Sequence, residues 1–145
     1  MEKKTPLCIA ATCAHIMNDR KATGITVLNI EPVCSIADYF VIGTGRSERQ
    51  LKAIAAQIEK MAHENSVFVM GIEGKGKGTG MSTGAGNWIL VDLCDVVVHL
   101  FDDETRNLYD LELLWGDTER ADWQGIKPLA FSDFSYASEE SSISG

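Results

Sequence analysis

Two stretches of this sequence carry residue types at spacings that could do chemistry. The first, Gly71-Ile72-Glu73-Gly74-Lys75-Gly76-Lys77-Gly78, matches the glycine and lysine positions of a phosphate-binding loop, GxxxxGK[ST], after a strand-like run. Such a loop needs a hydroxyl at its last position to hold magnesium and a helix N-terminus to face the phosphate. Gly78 has no hydroxyl, and more glycines and then a strand follow, so these residues favour a solvated hairpin insertion. The second is Asp92 with Asp95, two carboxylates close enough in sequence to suggest a magnesium pair for phosphoryl or nucleotidyl transfer. They flank a turn rather than share a strand. A glycine-serine step before such a pair could only be Gly45-Arg46-Ser47, and the next strand holds no acidic doublet to complete it. Ser47 is more simply a helix N-cap, with Gln50 at the capping-box position.

Other reactive groups are scattered. His15, His63 and His99 lie on three different elements, and no Ser or Cys has a His placed to act as its base. Cys8, Cys13, Cys34 and Cys94 form no CxxC pair and have no His at zinc-finger spacing, so they read as reduced thiols of a cytosolic protein. No catalytic residue, metal site or cofactor is indicated, and the expectation is a protein that is not an enzyme.

The elements that must position these residues follow from periodicity. Thr5 can cap a helix with Pro6 at its first position and Leu7, Ala11, Ala14 and Met17 at helical spacing, ending between Asn18 and Lys21. Residues 25–31 and 39–44 read as strands buried on both faces. From Ser47 a second helix places Leu51, Ile54, Ala55, Ile58 and Met61 on one stripe. A third strand is expected over 67–72, then a mobile glycine-rich insertion at 74–87, then strands over 87–92 and 95–101. The link Leu93-Cys94 between the last two is too short for anything but an antiparallel hairpin. A last helix is expected over 104–115, with Leu108, Leu111, Leu114 and Trp115 on its apolar side.

These elements predict a single α/β domain over 1–123, one mixed sheet of about five strands flanked by helices. Residues 124–145, Ser-rich and acidic, read as a disordered tail in which Phe131, Phe134 and Tyr136 could anchor weakly. With 145 residues and 45% apolar content, one core is what the chain can build. Lys and Arg total 13 against 21 Asp and Glu, a formal charge of −8. That balance disfavours direct nucleic-acid binding, which needs cations against phosphates, and suits a basic protein partner. The start of the chain shows no signal core and no run of about 18 apolar residues occurs, so a cytoplasmic protein with no membrane association is expected.

Period-two alternation in the hairpin is the most informative pattern. Ile89, Val91, Val96, Val98 and Leu100 share one aliphatic face suited to packed helices. Trp88, Leu90 and Asp92 point the other way with Asp95, Val97, His99 and Phe101, an aromatic anchor and apolar neighbours inside a charged rim. Either this second face docks a partner or another part of the chain covers it.

Five runs in order resemble the ribosomal silencing factor (Iojap-like) family. They are Ser35-Ile36-Ala37-Asp38-Tyr39-Phe40-Val41-Ile42, Thr44-Gly45-Arg46-Ser47-Glu48-Arg49-Gln50, Glu73-Gly74, Trp88-Ile89-Leu90-Val91-Asp92 with Asp95-Val96-Val97-Val98-His99, and Arg106-Asn107-Leu108-Tyr109-Asp110-Leu111-Glu112-Leu113-Leu114-Trp115. The resemblance spans residues 7–117 and implies a nucleotidyltransferase-like fold without the catalytic acids. It implies binding to the large ribosomal subunit through ribosomal protein uL14, steric exclusion of the small subunit when nutrients are short, and a homodimer. It carries over Trp88, Asp92, Asp95, His99 and Tyr109 as motif positions, and with Leu90 these are the candidate partner-binding residues. A nucleotide-binding enzyme and a ribosome-assembly adaptor are the alternatives. The sequence departs from the family at the longer stretch between Gly74 and Trp88 and at Cys94, where glycine is usual. If that turn needs positive φ, Cys94 is strained by about 1 kcal/mol or more.

Overall fold

The computed structural model describes residues 5–33, 35–75, 88–104 and 118–132. Helix α1 (Pro6–Asp19) starts as its sequence dictates, with the Thr5 hydroxyl accepting the Cys8 N–H. Helix α2 (Glu48–Glu64) starts from Ser47, whose hydroxyl accepts the Gln50 N–H at 3.1 Å. The Gln50 side chain turns back to accept the Arg46 N–H and donates to the Arg20 carbonyl at 2.9 Å, tying the start of α2 to the end of α1. Both helices close with paired bonds from the two residues beyond the cap to the last turn. Ala22 donates to Met17 and Val67 to Ala62, with Lys21 at φ 69° and Ser66 at φ 58° in the left-handed position.

The strands are β1 (Thr23–Asn29), β2 (Tyr39–Gly45), β3 (Gly71–Lys75), β4 (Trp88–Asp92), β5 (Val96–Asp102) and β6 (Glu119–Arg120). They form one sheet in the order β3-β4-β5-β2-β1-β6. Only β2 and β5 run parallel, and the remaining pairs are antiparallel. The sheet is therefore mixed and α/β as expected, with six strands rather than about five. The extra strand, two residues long, pairs with Leu28 and Asn29 at the β1 edge.

Strand β3 begins four residues later than expected and runs on to Lys75. Val67–Met70 alternate like a strand, but the ladder exists only where β4 offers a partner, and the five residues of β4 pair with Gly71 to Lys75 alone. Of the expected glycine-rich insertion at 74–87, Gly74 and Lys75 thus belong to β3, and 76–87, including Lys77, lie outside the described residues. The helix expected over 104–115 lies outside them from residue 105 onward, Tyr109 with it.

Both helices pack on one face of the sheet. Ile9, Ala10, Cys13, Ala14 and Met17 of α1 and Leu51, Ile54 and Ile58 of α2 share a core with Val27, Val41, Ile89, Val91, Val96, Val98 and Leu100. A β-carbon on Gly43 would sit 2.6 Å from Met17 Sδ, and one on Gly45 would sit 2.6 Å from Leu51 Cδ2, so glycine lets each helix lie close on β2.

Helix α1 is buried from Ile9 through Met17 without a break, which a one-sided apolar stripe does not predict. Its other side is covered by residues 121–132, which cross the helix as a strap. The Leu129 N–H donates to Thr12 Oγ1 at 2.9 Å, His15 Nε2 meets the Ile126 carbonyl at 2.8 Å, and the His15 ring stands edge-on to Trp123 at 5.0 Å. Leu129 and Phe131 are buried, and Ser132 binds Glu64 through backbone and side chain. Packing on the helices therefore continues past the expected boundary at 123 as far as Ser132. Residues 133–145 of the expected tail lie outside the described residues. Among the described residues, no helix is long and apolar enough to cross a membrane.

Candidate docking surface

The hairpin register places side chains in rows across the sheet. Leu90 pairs with His99, which pairs with Ile42 and through it with Thr26. Trp88 pairs with Phe101, which pairs with Thr44. Asp92 pairs with Val97, which pairs with Phe40 and through it with Leu28. These three rows form the face opposite α1 and α2, so the two-sided division of the hairpin expected from period-two alternation is what the register produces.

At the centre of this face the rings of Phe40, Trp88, His99 and Phe101 form a cluster. Phe40 and His99 meet edge-on at 4.7 Å, Trp88 and Phe101 are 5.0 Å apart, and His99 lies parallel to Phe101 at 6.0 Å. Phe101, Ile42 and Leu28 are fully buried here, with Ile30 and Ala37 in the same cluster. The centre of the face is thus closed, and what remains accessible lies at its margins. Trp88 and Leu90 are half-buried, Asp92 is half-buried, and Asp95 is exposed.

His99, expected among the partner-binding residues, is only 8% exposed. Burial lowers its pKa from 6.5 to about 4, which keeps the ring neutral, and among the described residues neither ring nitrogen has a hydrogen-bond partner. It backs the surface from beneath rather than presenting to it. Asp92 holds the chain locally, since its Oδ1 accepts the Cys94 N–H at 2.9 Å, while the Leu93 N–H donates to the Val96 carbonyl across the turn. Cys94 stands at φ 72°, so the turn does require the left-handed conformation that glycine adopts without strain. Asp92 and Asp95 lie on either side of this turn, and among the described residues no three His, Cys, Asp or Glu side chains gather as metal ligands. Cys13, enclosed in the core, has its thiol pushed up to about 12 by burial.

The sequence pattern did not single out the connection between β1 and β2. Its Val33 is 69% exposed and Ile36 81% exposed, while its base is bonded to the hairpin turn through Asp38 N–H to the Asp95 carbonyl at 2.8 Å. Two large aliphatic residues in a turn-rich segment were the available signal. Without a period to place them, their exposure was not legible.

The family model described as "Ribosomal silencing factor during starvation" matches residues 3–143. The chain is 41% identical over 122 residues to the ribosomal silencing factor RsfS of Bacillus subtilis, covering 84% of this chain and 94% of that protein. It is 36% identical over 103 residues to the mouse protein named mitochondrial assembly of ribosomal large subunit protein 1, covering 69% of this chain and 42% of that one. A crystal structure of a Chromobacterium violaceum protein superposes with a TM-score of 0.63 at 31% identity, covering 88% of this chain and 92% of that chain. Matched over nearly its whole length by the family model and over most of it by relatives and solved structures, this chain belongs to the ribosomal silencing factor family.

Proposed function

We propose that this protein binds the large ribosomal subunit through ribosomal protein uL14 and, by occupying that surface, keeps the small subunit from joining, so that translation is repressed when nutrients are limited. It acts in the cytoplasm, by steric exclusion and without catalysis. The observation that carries this beyond family membership is the position of Trp88. A half-buried indole stands at one end of β4, on the sheet face away from the helices, with Asp92 and the exposed Asp95 at the other end. An aromatic anchor beside a charged margin is the composition of a protein-binding surface, and a net charge of −8 favours encounter with a basic partner. Of the residues expected to touch that partner, Trp88, Leu90 and Asp92 are half-buried, Asp95 is exposed and His99 is buried, which supports contact through the first four, and Tyr109 lies outside the described residues.

Subunit joining measured by light scattering tests the proposal. The protein should slow joining when preincubated with large subunits, and Trp88→Ala, with its fold intact, should weaken that effect by about 2 kcal/mol, roughly thirtyfold in affinity. Unimpaired silencing by the variant would remove Trp88 from the interface.

We also propose that the protein forms a homodimer. The edge of β3 has no strand beyond it among the described residues, and Phe68, Met70 and Ile72 beside it are 68%, 64% and 41% exposed. A dimeric molar mass that falls to monomeric in Met70→Lys supports this. A monomeric mass for the unmodified chain contradicts it.

A further inference from the structure

We propose that the β1–β2 connection, through Val33 and Ile36, is a second docking element that seats on an apolar spot bordered by Lys or Arg on the protein partner that meets Trp88. This rests on the reading of the hairpin margin as the docking surface and extends it to the β1–β2 connection, where Ile36 lies in a family-like run to which no partner contact was assigned.

Exposure is the first observation. Single aliphatic residues in water are ordinary, but Val33 and Ile36, at 69% and 81% exposed, stand in the same short connection. Among the described residues the other large exposed hydrophobics, Phe68, Met70 and Ile72, are gathered on or just before β3, at the far edge of the sheet.

Anchorage is the second. The Ile30 and Glu31 N–H groups both donate to the Asp38 carbonyl, at 2.9 and 3.2 Å, and the Val33 N–H donates to Ile30 at 3.0 Å. Ile30 and Ala37 are buried in the cluster that contains Phe101 and Ile42. The connection thus closes on a fixed base, and a docking contact there orders less chain than a free loop would, which favours affinity.

Continuity is the third. Asp95, the exposed acid of the hairpin turn, accepts both the Asp38 and the Tyr39 N–H groups through its carbonyl, at 2.8 and 3.1 Å. The connection is therefore fixed beside the end of the hairpin away from Trp88. The five residues of β4 span only about 13 Å at about 3.3 Å per residue. A stable interface covers about 800 Å² on each partner, about 30 Å across. Phe101, Ile42 and Leu28 at the centre of this face are themselves covered, so a partner reaches this face only at its margins. Trp88 is one margin and the β1–β2 connection is the other.

Charge fixes the kind of partner. Glu31 and Asp38 line a recess of about 270 Å³ between the base of the connection and the start of α1, with Asn29, Tyr39 and residues Thr5, Pro6 and Leu7. The Tyr39 hydroxyl has its pKa raised by burial and then by the negative charges of Asp38, Glu119 and Glu31. An apolar tip within that field complements an apolar spot ringed by cations and repels an acidic surface.

The test uses the 145-residue chain and purified Bacillus subtilis large subunits. Ile36→Ser, Ile36→Glu and Ile36→Lys are compared with Trp88→Ala by co-sedimentation, after circular dichroism and melting show each variant folded. Exposed side chains can be exchanged here with little cost to folding. The expected result is a loss of roughly fivefold or more in affinity for Ile36→Ser, with Ile36→Lys weaker than Ile36→Glu because it also opposes the partner's cations. If all three Ile36 variants bind like the unmodified protein while Trp88→Ala is impaired, the second element is overturned and the hairpin reading stands. If Trp88→Ala is also unimpaired, or the unmodified protein does not bind large subunits, both fall. A greater loss with Ile36→Glu than with Ile36→Lys overturns the assignment of a cationic partner.

Discussion

Asp92 holds the hairpin turn by accepting the Cys94 N–H through Oδ1 at 2.9 Å, and Cys94, the residue it holds, stands at φ 72°. A carboxylate at the margin of the proposed docking surface is therefore a structural part of the turn, and a role in docking can be separated from that one. Asp92→Asn keeps the acceptor and removes the charge, whereas Asp92→Ala removes both. Asp92→Ala is expected to cost about 1 kcal/mol in urea unfolding, and Asp92→Asn much less. Weaker large-subunit binding by Asp92→Asn at unchanged stability assigns the carboxylate to the interface as well. Unchanged binding confines it to the turn.

Cys94→Gly relieves a left-handed conformation that costs an L-residue about 1–2 kcal/mol. Part of the gain is offset by the greater freedom of glycine in the unfolded chain, about 0.4–1 kcal/mol. A net stabilisation of about 0.5–1 kcal/mol, read from the denaturant midpoint, is expected from the difference of these two effects. Destabilisation would mean that the thiol makes a contact worth more than the strain.

His99 gives the fold an acid limb. Its folded pKa of about 4 lies below the ordinary 6.5, so above pH 6.5 the ring is neutral in both states and its contribution is full. As pH falls through 6.5 the unfolded chain takes up a proton that the folded chain refuses, and stability declines until about pH 4. At about 1.36 kcal/mol per pH unit the loss over that window is roughly 3 kcal/mol. Urea midpoints at about pH 7 and about pH 4.5, either side of most of that window, check this. His99→Phe should lose markedly less stability between the two than the unmodified chain. Parallel losses would show that other groups set the acid limb.

The strap over α1 depends on one hydroxyl. Thr12 Oγ1 donates to the Cys8 carbonyl at 2.7 Å and accepts the buried Leu129 N–H at 2.9 Å. Thr12→Val preserves shape but leaves that N–H without its acceptor, a cost of about 1–3 kcal/mol. Unfolding should report this loss, and faster amide exchange at Leu129 should place it on the strap. Loss of stability with Leu129 exchange unchanged would put the effect elsewhere in α1.

Legibility in the sequence followed the reach of the forces involved. Local rules were sufficient for α1 and α2, where Thr5 and Ser47 cap the helices, and for the hairpin, where period two divides Val91 and Val98 from Leu90 and His99. They failed wherever a distant partner decides the outcome. The start of β3 is set by the length of β4, and the burial of Leu129 depends on a hydroxyl 117 residues away. For the candidate site, the face on which Trp88 lies was legible, but the depth of its residues was not. That His99 is enclosed and Ile36 exposed depends on how the rows assemble across the sheet, which no single strand encodes.

Silencing by steric exclusion stands or falls on where the protein sits, and electron cryo-microscopy of the protein bound to the large subunit measures that position. Density against ribosomal protein uL14 is expected, with Trp88 and the hairpin turn facing it and the small-subunit approach blocked. Density elsewhere on the large subunit, leaving the joining surface open, would contradict steric exclusion.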